Sequence, residues 1–353
     1  MIAILTEPAY SGSIWCKQLL ESLKNRLKQK RIPFHEVSDS IDETDDGVFI
    51  LASDYHWIKK TVTRLNAAGI KPILICNQAE QIHGCDYSCV CSDIGGSMKY
   101  LLEELKRAGR TRVALYGINT SSISDIGRVD GLFAFKDDSF NEMRIFTNTG
   151  SLQNCFAEYK NFDAVICSND FAAVSLVRNL LEKVPDALEA LKILSCAQTE
   201  LSAYYKARIT SVDMHFEQYG KAAVFLYEAL KAHPYMAGMT VTVNWNDENE
   251  KTPRHKPVTV QKEQSGSAFY ADGEMRDLLT TEQILNTCSD TDRLILFSLI
   301  DGATLEETAT RSFLTEGGVK YRIRRILTAC GISDRGTLLE LLKKYLVIPK
   351  SPE

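Results

Sequence analysis

Along most of the chain, short apolar runs alternate with segments whose apolar residues recur every third or fourth position. Residues 2–6 read as a buried strand. Ile14, Trp15, Leu19, Leu20, Leu23 and Leu27 then mark an amphipathic helix that ends in the basic run Lys28 to Arg31. Further strands are expected over 34–37, 47–52, 72–76, 112–116, 164–167 and 193–195. Helices lie between them, one carrying Ile58, Val62 and Leu65, another Met98, Leu101, Leu102 and Leu105. Such alternation predicts parallel sheets covered on both faces and joined by right-handed crossovers. About 260 residues of this pattern exceed one ordinary sheet, so two α/β lobes are expected.

The period changes towards the C-terminus. Ser289 to Asp301 predicts a helix burying Leu294, Ile295, Leu299 and Phe297, and Gly302 stops it. Thr304 caps a short helix with Leu305, Thr308 and Ala309, and a turn follows at Ser312, Phe313 and Leu314. In the next helix Val319, Ile323, Ile326 and Leu327 share one face, while Lys320, Tyr321, Arg324 and Arg325 project from the remaining arc. Thr315 suits its N-cap, and Gly317 and Gly318 strip the first turn of side chains, so backbone N–H groups can approach a phosphate. Each glycine costs roughly 1 kcal/mol of helix propensity relative to Ala. After Gly331 a last apolar helix runs from Leu338 to Leu346. Helix, short helix, turn, basic helix is the layout of a helix-turn-helix unit, here a small all-α domain.

Composition narrows the function. With 353 residues, 44% of them apolar, the chain can hold two or three real cores. A net charge of -5 argues against indiscriminate affinity for nucleic acid, yet Lys320, Arg322, Arg324 and Arg325 sit within one short helix. Charge is focused rather than abundant. No apolar run is long enough to span a membrane and the first residues enter a strand, so the expectation is a cytoplasmic protein. The ten cysteines are expected reduced. One cluster, His83, Cys85, Cys89 and Cys91, offers four potential zinc ligands, but the spacing is not that of a standard zinc site, and Cys89 and Cys91 alternate as strand residues do. No phosphate loop, dinucleotide fingerprint or acyl-enzyme motif falls in a suitable turn, so neither catalysis nor a cofactor is expected.

Two resemblances sharpen these readings. Asp292 to Leu339 resembles the DNA-binding domain of the LuxR/response-regulator class, on Gly302, Ala309, Leu314-Thr315, Val319-Lys320, Ile323, Ile326-Leu327, Gly331 and Ser333-x-Arg335. It departs at Gly318, Ser312 and Arg293, where the class has Thr, Leu and an acidic residue. The resemblance implies that Lys320, Tyr321 and Arg324 face the major groove of double-stranded DNA, with Thr315, Arg322 and Arg325 nearer phosphates.

Residues 1–265 resemble the effector-binding region of the LacI/GalR family, which is similar to periplasmic sugar-binding proteins. The matching islands include Asp46-Gly47, Gly69 to Pro72, Ser92-Asp93, Gly95-Gly96, Leu101 to Ala114, Gly127-Arg128, Gly131, Asp163 to Ala173, Ile209 and Tyr219-Gly220. The implied fold is the two-lobed type I periplasmic-binding-protein-like one, with a small-molecule effector in the interlobe cleft. Arg128 would donate to a ligand oxygen, with a salt bridge to Asp125 or Asp130 as the rival use, and Asn169 or Asp170 would bond the ligand from the far lobe. Ala197 replaces the family's usual Asp, beside Gln198. Tyr10 and Tyr55, in strand-end loops, are candidates to stack on the ligand; Trp15 and Trp57, at helical positions, read rather as core.

The family's DNA reader precedes this region, whereas Met1 here opens the first strand and the reader is expected after it. Residues 266–279 would link the effector domain to a reader over 280–349. The expected protein is a ligand-responsive transcription regulator acting as a homodimer on operator DNA, with a sugar or sugar-like effector. The alternative is a sensor whose C-terminal helices bind a protein partner or self-associate.

Overall fold

The computed structural model describes residues 1–37, 46–75, 84–119, 122–147, 159–236, 238–243 and 272–346. The first lobe takes β1 (Ile2–Thr6), α1 (Ile14–Gln29), β2 (Phe34–Val37), β3 (Gly47–Leu51), α2 (Tyr55–Ala67), β4 (Ile73–Ile75), β5 (Ser88–Ser92) and α3 (Ile94–Arg107). The chain then builds the second lobe: β6 (Arg112–Ile118), α4 (Ile123–Phe135), β7 (Glu142–Thr147), β8 (Ala164–Cys167), α5 (Asp170–Lys183), α6 (Ala187–Ala190), β9 (Lys192–Cys196), α7 (Glu200–Ala203) and β10 (Ile209–Val212). It returns through α8 (Phe216–Ala232) to β11 (Thr240–Val243), which joins the first sheet. Strand order is β11-β5-β4-β3-β1-β2 in one sheet and β10-β9-β8-β6-β7 in the other, with every described pair parallel.

The strands read as unbroken apolar runs because both faces are covered. In β1, Ile2 and Ile4 enter the core that continues into the second lobe, while Ala3 joins the outer layer with Ile58, Val62 and Leu65 of α2. In β6, Val113 and Leu115 take the first core and Ala114 and Tyr116 take another. Cys89 and Cys91 lie buried in the outer layer of β5, while His83 lies outside the described residues. Among the described residues no group of three or more ligating side chains could hold a metal, and no helix is long and apolar enough to cross a membrane.

Among the described residues five helices follow: α9 (Gly273–Thr287), α10 (Asp290–Ile300), α11 (Leu305–Ser312), α12 (Glu316–Cys330) and α13 (Arg335–Leu346). The linker expected over 266–279 is corrected in its second half. Asp272 caps α9 by accepting from Glu274 and Met275 N–H, so Gly273 opens a helix rather than a flexible joint, and Met275 and Leu278 are fully buried. Their partners lie on the second lobe: Met275, Leu278 and Tyr345 share a core with Phe171, Val174, Val177, Leu201 and Tyr205. The reading of α10 is also corrected. Leu294 is 45% exposed, and the inward stripe runs through Asp292, Ile295, Leu296 and Leu299. A capping box joins Ser289 to Asp292 and fixes that register.

Where α8 crosses α1, the backbones nearly touch. A Cβ on Gly220 would stand 2.3 Å from the Ser22 carbonyl oxygen, while Gly220 N–H donates to Ser22 Oγ at 3.0 Å. Gly220→Ala should therefore push the helices apart and cost about 1–3 kcal/mol, read as a lower urea midpoint, whereas the exposed control Lys221→Ala should leave the midpoint unchanged. Equal midpoints for both variants would contradict this close packing.

Candidate functional site

Strand C-termini from both sheets open onto one interlobe cavity. Ser53 follows β3, Asn119 follows β6, Ser168 and Asn169 follow β8, Ala197 follows β9 and Met214 follows β10, and all of them line it. Tyr10, Trp15, Ser122, Arg128, Phe171 and Phe216 complete most of the wall.

Arg128 is buried in α4 and its Nη1 donates to Asp125 Oδ1 at 2.7 Å, one turn earlier. Asp125 also accepts Asn119 N–H at 3.0 Å. Burial pushes the Asp125 carboxyl up, against the pull of Arg128. The guanidinium thus reaches the cavity as half of a pair, joining the two uses weighed from the sequence. Tyr10 is buried in the wall and packs on Trp15, ring centroids 5.7 Å apart. Burial also lifts its phenol well above the ordinary range. Trp15 packs against the core as expected and also lines the cavity, because the first turn of α1 faces it; Trp57 packs in the outer layer. Tyr55 is corrected. Asp54 accepts Trp57 N–H at 2.8 Å and starts α2 at Tyr55, whose ring packs in the outer layer away from the cavity.

Asn169 lines the cavity while its Oδ1 caps α5 at Ala172 N–H and its Nδ2 donates to Ser168 Oγ. Asp170 is saturated inside the protein. Ser195 Oγ, Ser211 Oγ, Thr199 N–H and Thr199 Oγ1 all donate to it, at 2.5 to 3.0 Å. It clamps β8, β9 and β10 together, and although it lines the cavity its oxygens are taken up by these four donors. Gln198 leaves the set. Ala197 at φ 120° and Gln198 at φ 46° reverse the chain, presenting Thr199 to the cavity and Gln198 to a separate groove with Lys206, Glu282 and Asn286. Cys196, absent from the sequence reading, lines the wall with its thiol pushed by burial up to about 12, a small apolar surface rather than a nucleophile. Glu7, also missed, accepts Ser53 and Asp54 N–H at 2.8 and 3.0 Å and so fixes the loop after β3. Position just past a buried strand was the available signal for all of these.

Behind the Ala197–Thr199 loop stands the C-terminal unit. Glu282 of α9, fully buried, accepts the N–H groups of Glu200 and Leu201 at 2.9 and 2.6 Å and so caps α7 from the C-terminal helices. Asn286 Nδ2 donates to it at 2.9 Å, and Arg293 Nη2 reaches Glu200 at 3.0 Å. Arg293 thus ties α10 to the start of α7.

On α12, Thr315 accepts Gly318 N–H at 3.1 Å as its N-cap. Lys320, Tyr321 and Arg324 are exposed, Lys320 lying 3.4 Å from Glu316. Arg322 and Arg325 are corrected as free phosphate contacts: both turn back onto buried Asp292, Arg322 at 3.0 Å. Burial raises the Asp292 carboxyl, but donors from Ser289 and the two guanidiniums outweigh it and hold the group below the usual range. A carboxylate buried in the capping box requires such partners.

No family sequence model matches the chain, and no curated protein sequence does either. Solved structures do share its fold. The lac repressor bound to ONPG superposes with TM-score 0.56 at 14% identity, covering 69% of this chain and 78% of that one. The transcriptional regulator CelR in complex with cellobiose gives 0.54 at 14% identity over 69% and 81%. A LacI family transcriptional regulator from Enterococcus faecalis V583 with bound ribose gives 0.55 at 14% identity over 69% and 95%. The class defined is the two-lobed α/β fold of LacI-type effector domains.

Glu282 yields a pH prediction. Burial lifts its carboxyl from 4.5 to about 7, so the fold favours the protonated form. Its contribution to stability is complete below the unfolded value and lost as pH rises through about 7. Between about pH 5 and pH 8 the thermal midpoint of the native chain should fall more steeply than that of Glu282→Gln, which cannot ionise. Parallel slopes would show that Glu282 does not titrate in this window.

Proposed function

We propose that this chain is a ligand-responsive transcription regulator. The observation that carries the reading is the adjacency of two contacts: Ala197 and Thr199 wall the cleft, and the helical unit bearing an exposed basic helix grips the next turn through Glu282. Structural neighbours described as transcriptional regulators with cellobiose or ribose bound support the same class.

The effector is an uncharged, hydroxyl-bearing molecule of sugar or sugar-like kind. Asp125 already pairs with Arg128, so the guanidinium brings no unbalanced positive charge to the cleft. Arg128 and Asn169 bond the ligand's oxygens, and Tyr10 with Trp15 takes its apolar face. On the DNA side α11, the turn and α12 act as a helix-turn-helix, with Lys320, Tyr321 and Arg324 in the major groove and Thr315 at the backbone. Two copies, paired as a homodimer in the cytoplasm, double the few base contacts one reader can make and fit a palindromic operator.

Charge reversal at Lys320 and Arg324 should lower affinity for duplex DNA at least about tenfold and flatten its salt dependence, with the oligomeric state unchanged. Unaltered DNA affinity would overturn the regulatory reading in favour of a protein partner for these helices. For the cleft, a thermal-shift panel of sugars, sugar phosphates and nucleosides should contain a ligand that stabilises the chain by about 2.7 kcal/mol at a hundredfold its Kd. Trp15→Ala should abolish that shift. A panel without any stabilising compound, or a full shift in Trp15→Ala, would contradict this cleft as the effector site.

A further inference from the structure

Phe313 forms the turn between α11 and α12, is 95% exposed and has φ +56°. Its N–H bonds Thr310 O at 3.3 Å and Leu314 N–H bonds Ala309 O at 2.9 Å, the left-handed cap that ends α11. Gly or Asn fills such a position without strain. A phenyl side chain is unfavourable there twice over, once for its backbone conformation and once for its contact with water. The core does not ask for it. Leu314 supplies the inward contact, packing against the core with its Cβ 3.7 Å from a Cβ built on Gly318. A residue held in a sparsely populated conformation, with no packing role, points to a function outside the folded chain.

Its surroundings indicate which one. The turn leads directly into the N-terminal end of α12, where Gly317 is exposed and leaves the surface open, and the same helix exposes Lys320, Arg324 and Tyr321, the last at 69%. We propose that Phe313 is an apolar DNA contact, its ring lying on the C5-methyl group of a thymine at the edge of the groove that α12 enters, so that it adds a thymine preference to the operator. An aromatic ring against a thymine methyl is an established form of direct readout, and the adjoining cations suit a polyanion rather than an apolar protein face. The inference rests on α12 being the DNA-reading helix, and the experiment separates the two.

Full-length chain, Phe313→Asn and Arg324→Glu are each compared on duplexes enriched by the native chain from a randomised pool, and on the same duplexes with dT replaced by deoxyuridine at the enriched positions. Phe313→Asn should fold with an equal or higher thermal midpoint, because Asn tolerates the left-handed conformation, yet bind the enriched duplex about tenfold more weakly. Removing the methyl group should weaken the native chain by a similar factor and leave Phe313→Asn unaffected. If Phe313→Asn binds within about twofold of the native chain while Arg324→Glu loses binding, the contact is wrong and the DNA-reading assignment stands. If neither variant loses binding, the assignment itself falls. Equal sensitivity of the native chain and Phe313→Asn to loss of the methyl group overturns the thymine contact, and loss of self-association with DNA binding intact overturns it in favour of a second copy of the chain.

Discussion

The carboxyl group of Glu282 lies out of water, and its compensation comes from two backbone N–H groups on the second lobe. A carboxyl group buried without hydrogen-bond partners is costly, so α9 and the start of α7 have to stay in register. Arg293 and Glu200 repeat the demand beside it. The apolar interface around Met275, Leu278, Leu201 and Tyr205 supplies most of the adhesion, but apolar contact is non-directional. The hydrogen bonds to Glu282 choose the geometry. Through them the helical unit is docked on the second lobe at one place, the turn that follows the cleft wall.

The same turn is under constraint from the other side. Thr199 gives both its N–H and its hydroxyl to Asp170, which also binds Ser195 and Ser211. Ala197 and Gln198 hold positive φ just before it. Two consecutive non-glycine residues in that region are retained only where surrounding bonds over-determine them. Asp170 therefore serves the site indirectly, as the anchor that keeps a strained loop against the cavity, and Glu282 anchors the loop's far end.

Much of the architecture was legible in the sequence because strands buried on both faces must read as apolar runs, and β1, β6 and β8 do. The cap at Thr315 and the exposed arc of α12 were legible for the same reason: local spacing decides them. What escaped depended on partners distant in the chain. Arg322 and Arg325 look like free cations until Asp292, some 30 residues earlier, is seen to be buried between them. Asp170 and Gln198 sit where a ligand residue could, but their directions were set by Thr199 and by two unusual φ values, which no periodicity reveals. Met275 and Leu278 read as linker because the helix they belong to is stabilised by the lobe on which it lies.

These contacts bound how a cleft of this kind could communicate with the helical unit. A guest bound equally well by both arrangements of the lobes shifts nothing, however tight its affinity. Coupling has to come from contacts that differ, and the cavity wall at Ala197 and Thr199 is followed directly by Glu200 and Leu201, whose N–H groups bond Glu282. Thr199 is bonded to Asp170 on one side and is followed by the two N–H groups that Glu282 accepts, so any shift of Thr199 bears on both sets of bonds. By linkage the reverse holds with equal free energy: whatever fixes the helical unit on its partner must tune the cleft by the same amount. Burial raises the Glu282 carboxyl, so the acid side favours the docked arrangement.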